Sequence, residues 1–266
     1  MAKTLRKPSN PRNLPSKSLA YRRRQLSPFS RMNILISNDD GFEAPGIDAL
    51  LEVASAFGDC TIVAPAKEQS GVSHQMTLWR SIEFVQHSDN VWSLDGTPSD
   101  CVRVAMTQLE TRFDLVLSGI NDGGNLGSDI YVSGTVAAAR EAAIFGLPAI
   151  AISQHRLRFG EAFDWTNTKT IASDALKHCF DAGLTPREVI NINLPDVSDS
   201  KPSVKVEIID PCPLDPNPRV AVYGSQPCEN GVSLKSVGKY NDRKRSSGHD
   251  VETCFSKKVS VSRLQF

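Results

Sequence analysis

Met32-Asn33-Ile34-Leu35-Ile36-Ser37-Asn38-Asp39-Asp40-Gly41 decides the fold. Ile34, Leu35 and Ile36 form a short continuous apolar run, the pattern of a strand buried on both faces of a parallel sheet. Two adjacent carboxylates and a glycine follow at once, where the carboxyl end of such a strand emerges and where open α/β sheets bind their ligands. Two like charges that close repel each other unless a cation lies between them. A hard divalent metal with oxygen ligands is the simplest remedy. Asn-Asp-Asp-Gly is also a tight-turn sequence, but the segments before and after it read as strand and helix, which makes a βα loop rather than a hairpin.

Downstream, the spacing predicts a helix from Pro45 to about Phe57, with Ile47, Leu50, Leu51, Ala54 and Phe57 on one face and Gly58 as the stop. Cys60–Ala64 reads as the second strand, completing a βαβ unit. Residues 81–94 suggest a short antiparallel excursion. Thr97, Pro98 and Asp100 signal a helix entry, with Thr97 as N-cap. Leu115–Leu117, Ala149–Ile152 and Val189–Asn193 are further buried strands, and helices are expected near 135–145 and 168–182. The repeat predicts an α/β fold: a Rossmann-like, mostly parallel sheet flanked by helices. From Asp196 onward, Pro202, Pro211, Pro213, Pro216, Pro218 and Pro227 punctuate short alternating pieces such as Val204–Ile208, expected on a sheet edge or in a protruding C-terminal β-rich arm, about 196–266.

The formal net charge of zero averages two unlike regions. Residues 1–31 hold nine Lys and Arg and no acid, which leaves 21 basic against 30 acidic residues in 32–266. An acidic body argues against broad nucleic-acid binding. The basic extension, with Pro8, Pro11, Pro15 and Pro28, reads as a disordered tail. A transit peptide, a start codon placed upstream of Met32 and RNA contact through Arg22-Arg23-Arg24 are the alternatives. The six cysteines show no paired or zinc-finger spacing, as expected of reduced thiols in a cytoplasmic protein. No apolar run approaches the ~18 residues of a membrane span, and no secretory signal is visible.

Four segments offer oxygen or amide groups to one sheet edge: Asn38–Gly41; Pro65–Gln75 with Ser70-Gly71; the glycine-rich Ser118–Gly127 with Asn121 and Asn125; and Ser133-Gly134-Thr135 at a helix start. The last is an anion site by its free N–H groups and helix dipole, a reading compatible with simple N-capping by Ser133. His74 and His155 fall near the expected site edge. No G-x-G-x-x-G follows the first strand, and neither a P-loop nor a G-x-S-x-G elbow occurs.

These segments resemble the SurE family of survival-protein nucleotidases, in order and spacing: Ile34–Gly41 with Ala44-Pro45-Gly46, Val63–Pro65 through Ser70-Gly71, Gly96–Val102, Ser118–Asn121 with Asn125-Leu126-Gly127, and Ser133–Ala138. Asn191–Pro195 extends the likeness. The resemblance implies a divalent-metal-dependent phosphatase (Mg²⁺ or Mn²⁺) releasing phosphate from nucleoside 5′- and 3′-monophosphates, and in some members from polyphosphate. It puts metal ligands on Asp39, Asp40, Ser70 and Asn121, and phosphate contacts on Asn125, Ser133, Gly134 and Thr135. Asp39, Asp40 and the adjoining Asn38 are the catalytic candidates. It further implies a Rossmann-like domain over 32–266 whose C-terminal arm is exchanged between subunits, giving a homodimer or homotetramer. Val132 stands where many members have Tyr, and residues 1–31 have no counterpart. The rival readings are a nucleotide-binding or RNA-associated protein without turnover, for which paired carboxylates would have no use, and a haloacid-dehalogenase-type phosphatase, whose carboxylates stand one residue apart.

Overall fold

The computed structural model describes residues 31–158, 161–200 and 204–266, so the basic extension lies outside the described residues except for Arg31. Strand β1 (Met32–Ser37) has a parallel neighbour on each side, β2 (Gly58–Pro65) and β5 (Leu115–Asp122). Ile34, Leu35 and Ile36 are fully buried. Successive side chains on a strand point to opposite faces, and here both faces are covered. Ile34 and Ile36 pack with helices α1 (Pro45–Ala54) and α4 (Thr166–Ala182), while Leu35 packs with α2 (Pro98–Gln108) and α3 (Gly134–Ile144).

The remaining strands are β3 (Phe84–Ser88), β4 (Val91–Leu94), β6 (Ala149–Gln154), β7 (Glu188–Leu194), β8 (Ile208–Ile209), the hairpin β9 (Tyr223–Cys228) and β10 (Gly231–Ser236), and β11 (Val259–Gln265). Nine of the eleven strands among the described residues form one sheet in the order β3-β4-β2-β1-β5-β6-β7-β11-β8. The run β4-β2-β1-β5-β6-β7 is parallel, with β3 and β11 antiparallel to their inner neighbours. The chain steps outward from β1 through β2 and β4, then returns to β5 and steps outward the other way. Strand order therefore reverses between β1 and β5, the crevice where such sheets bind ligands.

Local chemistry explains most boundaries. Thr97 and Asp100 form a reciprocal capping box at the start of α2, with Pro98 in the first turn. Helix α1 stops at Ala54, three residues short of the expected Phe57, because Gly58 opens β2 rather than ending the helix. A Cβ on Gly58 would stand 2.3 Å from the Met32 carbonyl oxygen, so only glycine lets β2 start flush against β1. Strand β5 runs on to Asp122, past the Leu115–Leu117 expected, because after an irregularity between Ser118 and Asn121 the chain resumes pairing with Ser153 and Gln154 of β6.

The C-terminal region is only in part an arm. The β9–β10 hairpin is exposed along both strands, and Val232 and Leu234 face solvent. In contrast, α5 (Asp250–Phe255) packs on β11, which inserts between β7 and β8 as a sheet member. Of the expected strand Val204–Ile208, only Ile208 is in a strand. All six cysteines are unpaired. No helix among the described residues is long and apolar enough to cross a membrane.

Candidate functional site

Strand β1 ends at Ser37, and the next side chain makes the turn. Asn38 Nδ2 donates to the Gly41 carbonyl at 2.8 Å, and Asn38 Oδ1 accepts the Gly41 N–H at 3.2 Å. Gly41, at φ +107°, takes a conformation that side-chain-bearing residues rarely adopt. Asn38, a catalytic candidate in the sequence, is fully buried with both ends of its amide engaged in the turn that presents Asp39 and Asp40.

Each carboxylate is gripped from across the β1/β5 crevice. Thr135 Oγ1 donates to Asp39 Oδ1 at 2.5 Å, and the Asp122 backbone N–H donates to Asp40 Oδ2 at 3.1 Å. Gly134 lies directly against Asp39, where an added Cβ would come within 2.7 Å of the Asp39 Cβ and 2.9 Å of Oδ2. The Asp39 carbonyl accepts the Gln69 N–H at 2.7 Å, which brings the Ser70 loop alongside.

Among the described residues neither carboxylate has an ion-pair partner within 4 Å. Burial, and then the charge of Asp40, push the Asp39 carboxyl up to about 7, against the lowering effect of the Thr135 hydroxyl. Burial also raises Asp40, to about 6; its bond from the Asp122 N–H opposes the rise, and the charges of Asp122 and Glu68 add to it. Such a pair is short of positive charge. No group of three or more His, Cys, Asp or Glu suited to a metal is found among the described residues. The donor set is instead two carboxylates with neutral oxygens nearby, which fits a hard oxygen-seeking cation rather than zinc.

The other expected residues surround this pair with differing engagements. Ser70 is exposed and donates to Glu68 Oε1 at 2.6 Å. Asn121 sits at the end of β5, and its Nδ2 donates to the Gly123 carbonyl at 2.7 Å. Asn125 is buried: its Nδ2 donates to Ser153 Oγ at 2.8 Å, and its backbone is held by Asn191 and Asn193 of β7. Ser133 caps α3 by accepting the Val136 N–H at 3.0 Å. The Thr135 hydroxyl, expected on phosphate, is bonded to Asp39. His74 lies at the edge of the Ser70 loop, pairing with the buried Glu141 of α3 at 2.7 Å, and His155 is buried against Phe255 and bonded to Asn241.

Several residues have roles that sequence reasoning missed. Asp122 supplies the N–H to Asp40, and its carboxylate is held by Arg156 at 2.7 and 2.9 Å. Its place next to Asn121 was the one available signal. Asp129, in the turn before Ser133, accepts from Arg243 at 2.6 Å and Tyr240 at 2.8 Å, and Arg243 also donates to the Leu126 carbonyl. The C-terminal segment thereby clamps the loop that carries Asn125.

The SurE family profile, "Survival protein SurE", matches residues 34–211. A Nostoc sp. relative described as a "Putative 5'-nucleotidase" is 38% identical over 88% of this chain and 100% of its own length. The 5'-nucleotidase SurE of Acinetobacter baylyi is 44% identical over 63% of this chain and 67% of its own. A crystal structure of the SurE protein from Aquifex aeolicus superposes with a TM-score of 0.73 at 29% identity, over 88% of this chain and 93% of that one. With the profile spanning well over half of its length and a relative matched end to end, the chain belongs to the SurE family.

Proposed function

We propose that Asp39 and Asp40 hold one Mg²⁺ or Mn²⁺, joined by neutral oxygens of Ser70 and Asn121, in a centre that hydrolyses nucleoside monophosphates to nucleoside and phosphate. The chain is a 5′-nucleotidase of the SurE family, as relatives bearing that name at 38 and 44% identity indicate. The finer parts are proposals: the ion, the four ligands, the phosphate contacts of Asn125 and residues 133–135, and activity on 3′-phosphates or polyphosphate. The observation that carries the site is the adjacent carboxylate pair at the β1/β5 reversal, Asp39 buried and Asp40 half-buried, both raised in pKa by burial and without an ion-pair partner among the described residues.

When bound, a divalent ion supplies Lewis-acid stabilisation of the phosphoryl oxygens. The protein's own groups make the geometry ready. Asn38 fixes the turn, Thr135 orients Asp39, and the Asp122 N–H orients Asp40 while Arg156 holds Asp122. The start of α3 adds the positive end of its dipole next to Asp39. Preorganised groups of this kind need not rearrange as charge develops in the transition state.

The exposed β9–β10 hairpin supports assembly into a homodimer or homotetramer, because an isolated two-stranded hairpin is at best marginally stable. Light scattering on the intact chain and on one lacking residues 223–236 tests that. Six unpaired thiols support a reducing, cytoplasmic setting. Phosphate release from a panel of nucleoside monophosphates, before and after EDTA and with Mg²⁺ or Mn²⁺ restored, tests the activity. Turnover that survives chelation would overturn the metal assignment, and no turnover with either ion would overturn the enzyme.

A further inference from the structure

We propose that a groove beside the carboxylate pair receives the nucleoside side of the substrate and favours one that carries a second phosphate. This rests on the nucleotidase reading above. The groove encloses about 550 Å³ between the Gly123-Gly124 turn and the 219–241 segment, with Leu157, Arg219, Lys239 and Asn241 on its walls. It begins next to the centre: the Gly123 carbonyl accepts from Asn121 Nδ2, and the Asp122 N–H is bonded to Asp40. Its floor is glycine backbone, which leaves room for a sugar.

The charge of the groove is opposite to that of the centre. Asp39, Asp40, Glu68 and Asp122 are all acidic, as is the body as a whole, yet residues 235–245 contain Lys235, Lys239, Arg243, Lys244 and Arg245 against Asp242 alone. Arg243 is consumed by its buried pair with Asp129 at 2.6 Å. Lys239 is exposed and has no ion pair among the described residues. Arg219 reaches only the far oxygen of the same Asp129, at 4.0 Å, with half its side chain in solvent. Two under-neutralised cations therefore border a groove whose near wall, Gly123, adjoins Asp122 and accepts a bond from Asn121.

The same walls are poorly equipped to read a base. Arg219 and Arg243 sit over the Tyr240 ring at 5.1 and 5.2 Å from its centroid, which denies it to a stacking base. The Asn241 amide is engaged by His155 and the Leu157 carbonyl. Selection in the groove is then by charge rather than by base identity. Hydrolysis breaks the P–O ester bond nearest the carboxylate pair; water supplies the oxygen to the released phosphate and a proton to the alcohol, which keeps its second phosphate.

The test compares kcat/KM for adenosine 3′,5′-bisphosphate and adenosine 5′-monophosphate, at low and high salt, in the wild type and in Lys239→Gln and Lys239→Gln/Arg219→Gln. The expected result is a preference for the bisphosphate of about fivefold at low salt, the scale of one partly screened ion pair. It shrinks in Lys239→Gln, disappears in the double variant, and fades at high salt. Lys239 is a solvent-exposed side chain, so the single variant does not put folding at risk. Equal kcat/KM for the two substrates in the wild type, or a preference that survives the double variant, would overturn the subsite while leaving the nucleotidase reading intact. Failure to hydrolyse either nucleotide would overturn both.

Discussion

Replacing Asp39 by Asn separates what this carboxylate costs the fold from what it gives the site. Its pKa is raised from 3.8 to about 7, chiefly by burial and next by the charge of Asp40. At ~1.4 kcal/mol per unit, about three units correspond to a ceiling of ~4 kcal/mol. The sign follows from proton uptake: the folded chain holds this proton to higher pH than the unfolded chain does. The stability contribution is thus fully present below about 3.8 and is lost as the pH rises through about 7. Asparagine has no proton to lose. The asparagine amide stays buried and keeps part of the desolvation cost, so about 2 kcal/mol is the expected gain for the metal-stripped variant at about pH 8. The gain should be smaller at about pH 5, where wild-type Asp39 is still largely protonated.

Urea unfolding in EDTA at the two pH values measures this directly. Adding Mn²⁺ should reverse the ranking, because an ion present at about 100 times its Kd stabilises the wild type by ~2.7 kcal/mol. The variant should gain little, and its phosphatase activity should fall to background. An advantage that is absent at about pH 8, or equal at both pH values, would refute the electrostatic account. Equal stabilisation of both proteins by Mn²⁺ would refute the metal assignment.

Gly134→Ala should destabilise the protein in urea by ~1–3 kcal/mol through overpacking against Asp39, although alanine in a helix is otherwise favoured by ~1 kcal/mol; a net gain in stability would show that the contact yields. Thr135→Val keeps the shape but removes the donor to Asp39, and a bond to a charged group is worth ~1.5–3 kcal/mol. Calorimetry should find Mn²⁺ binding about tenfold weaker, and the metal-free Tm should fall by several degrees. Asp129→Asn should cost about 3 kcal/mol in urea unfolding, since it leaves the Arg243 guanidinium buried without its partner. A chain lacking residues 1–30 should keep its kcat/KM on nucleoside monophosphates, and a large loss would make the extension part of the catalytic body.

The parts of the fold legible in the sequence are those whose cause is local. Ile34–Ile36 announced a strand buried on both faces, and Thr97 as N-cap with Pro98 after it marked the start of α2 to the residue. What escaped depends on contacts far apart in the chain. Asp122 reaches Asp40 across 82 positions, and only because β5 slips register between Ser118 and Asn121 before pairing with β6 again. Arg243 meets Asp129 across 114 positions, with nothing local to either residue that suggests it. Strand β11 shows the same limit: Val259, Ser260, Val261 and Ser262 alternate apolar and polar, yet all four are buried in a strand that lies between β7 and β8.

At the helix start 133–135 the fold adds a demand that the sequence does not display. From sequence, its N–H groups and dipole suit a phosphate. In the fold, the Ser133 hydroxyl is committed to the Val136 N–H, the Thr135 hydroxyl is committed to Asp39, and Gly134 gives Asp39 the room to approach. The anion that fills the first turn of α3 is therefore the protein's own carboxylate. A helix dipole acts over about its first turn, so Asp39 receives most of that help, and a phosphate held farther out receives less. In the function proposed above, phosphate affinity would then depend mainly on the ion assigned to the carboxylate pair and on cations along the neighbouring groove. The same arrangement accounts for a glycine at 134: any larger residue would move Asp39 off the helix start, and the positive field that makes a buried carboxylate tolerable there would be lost with it.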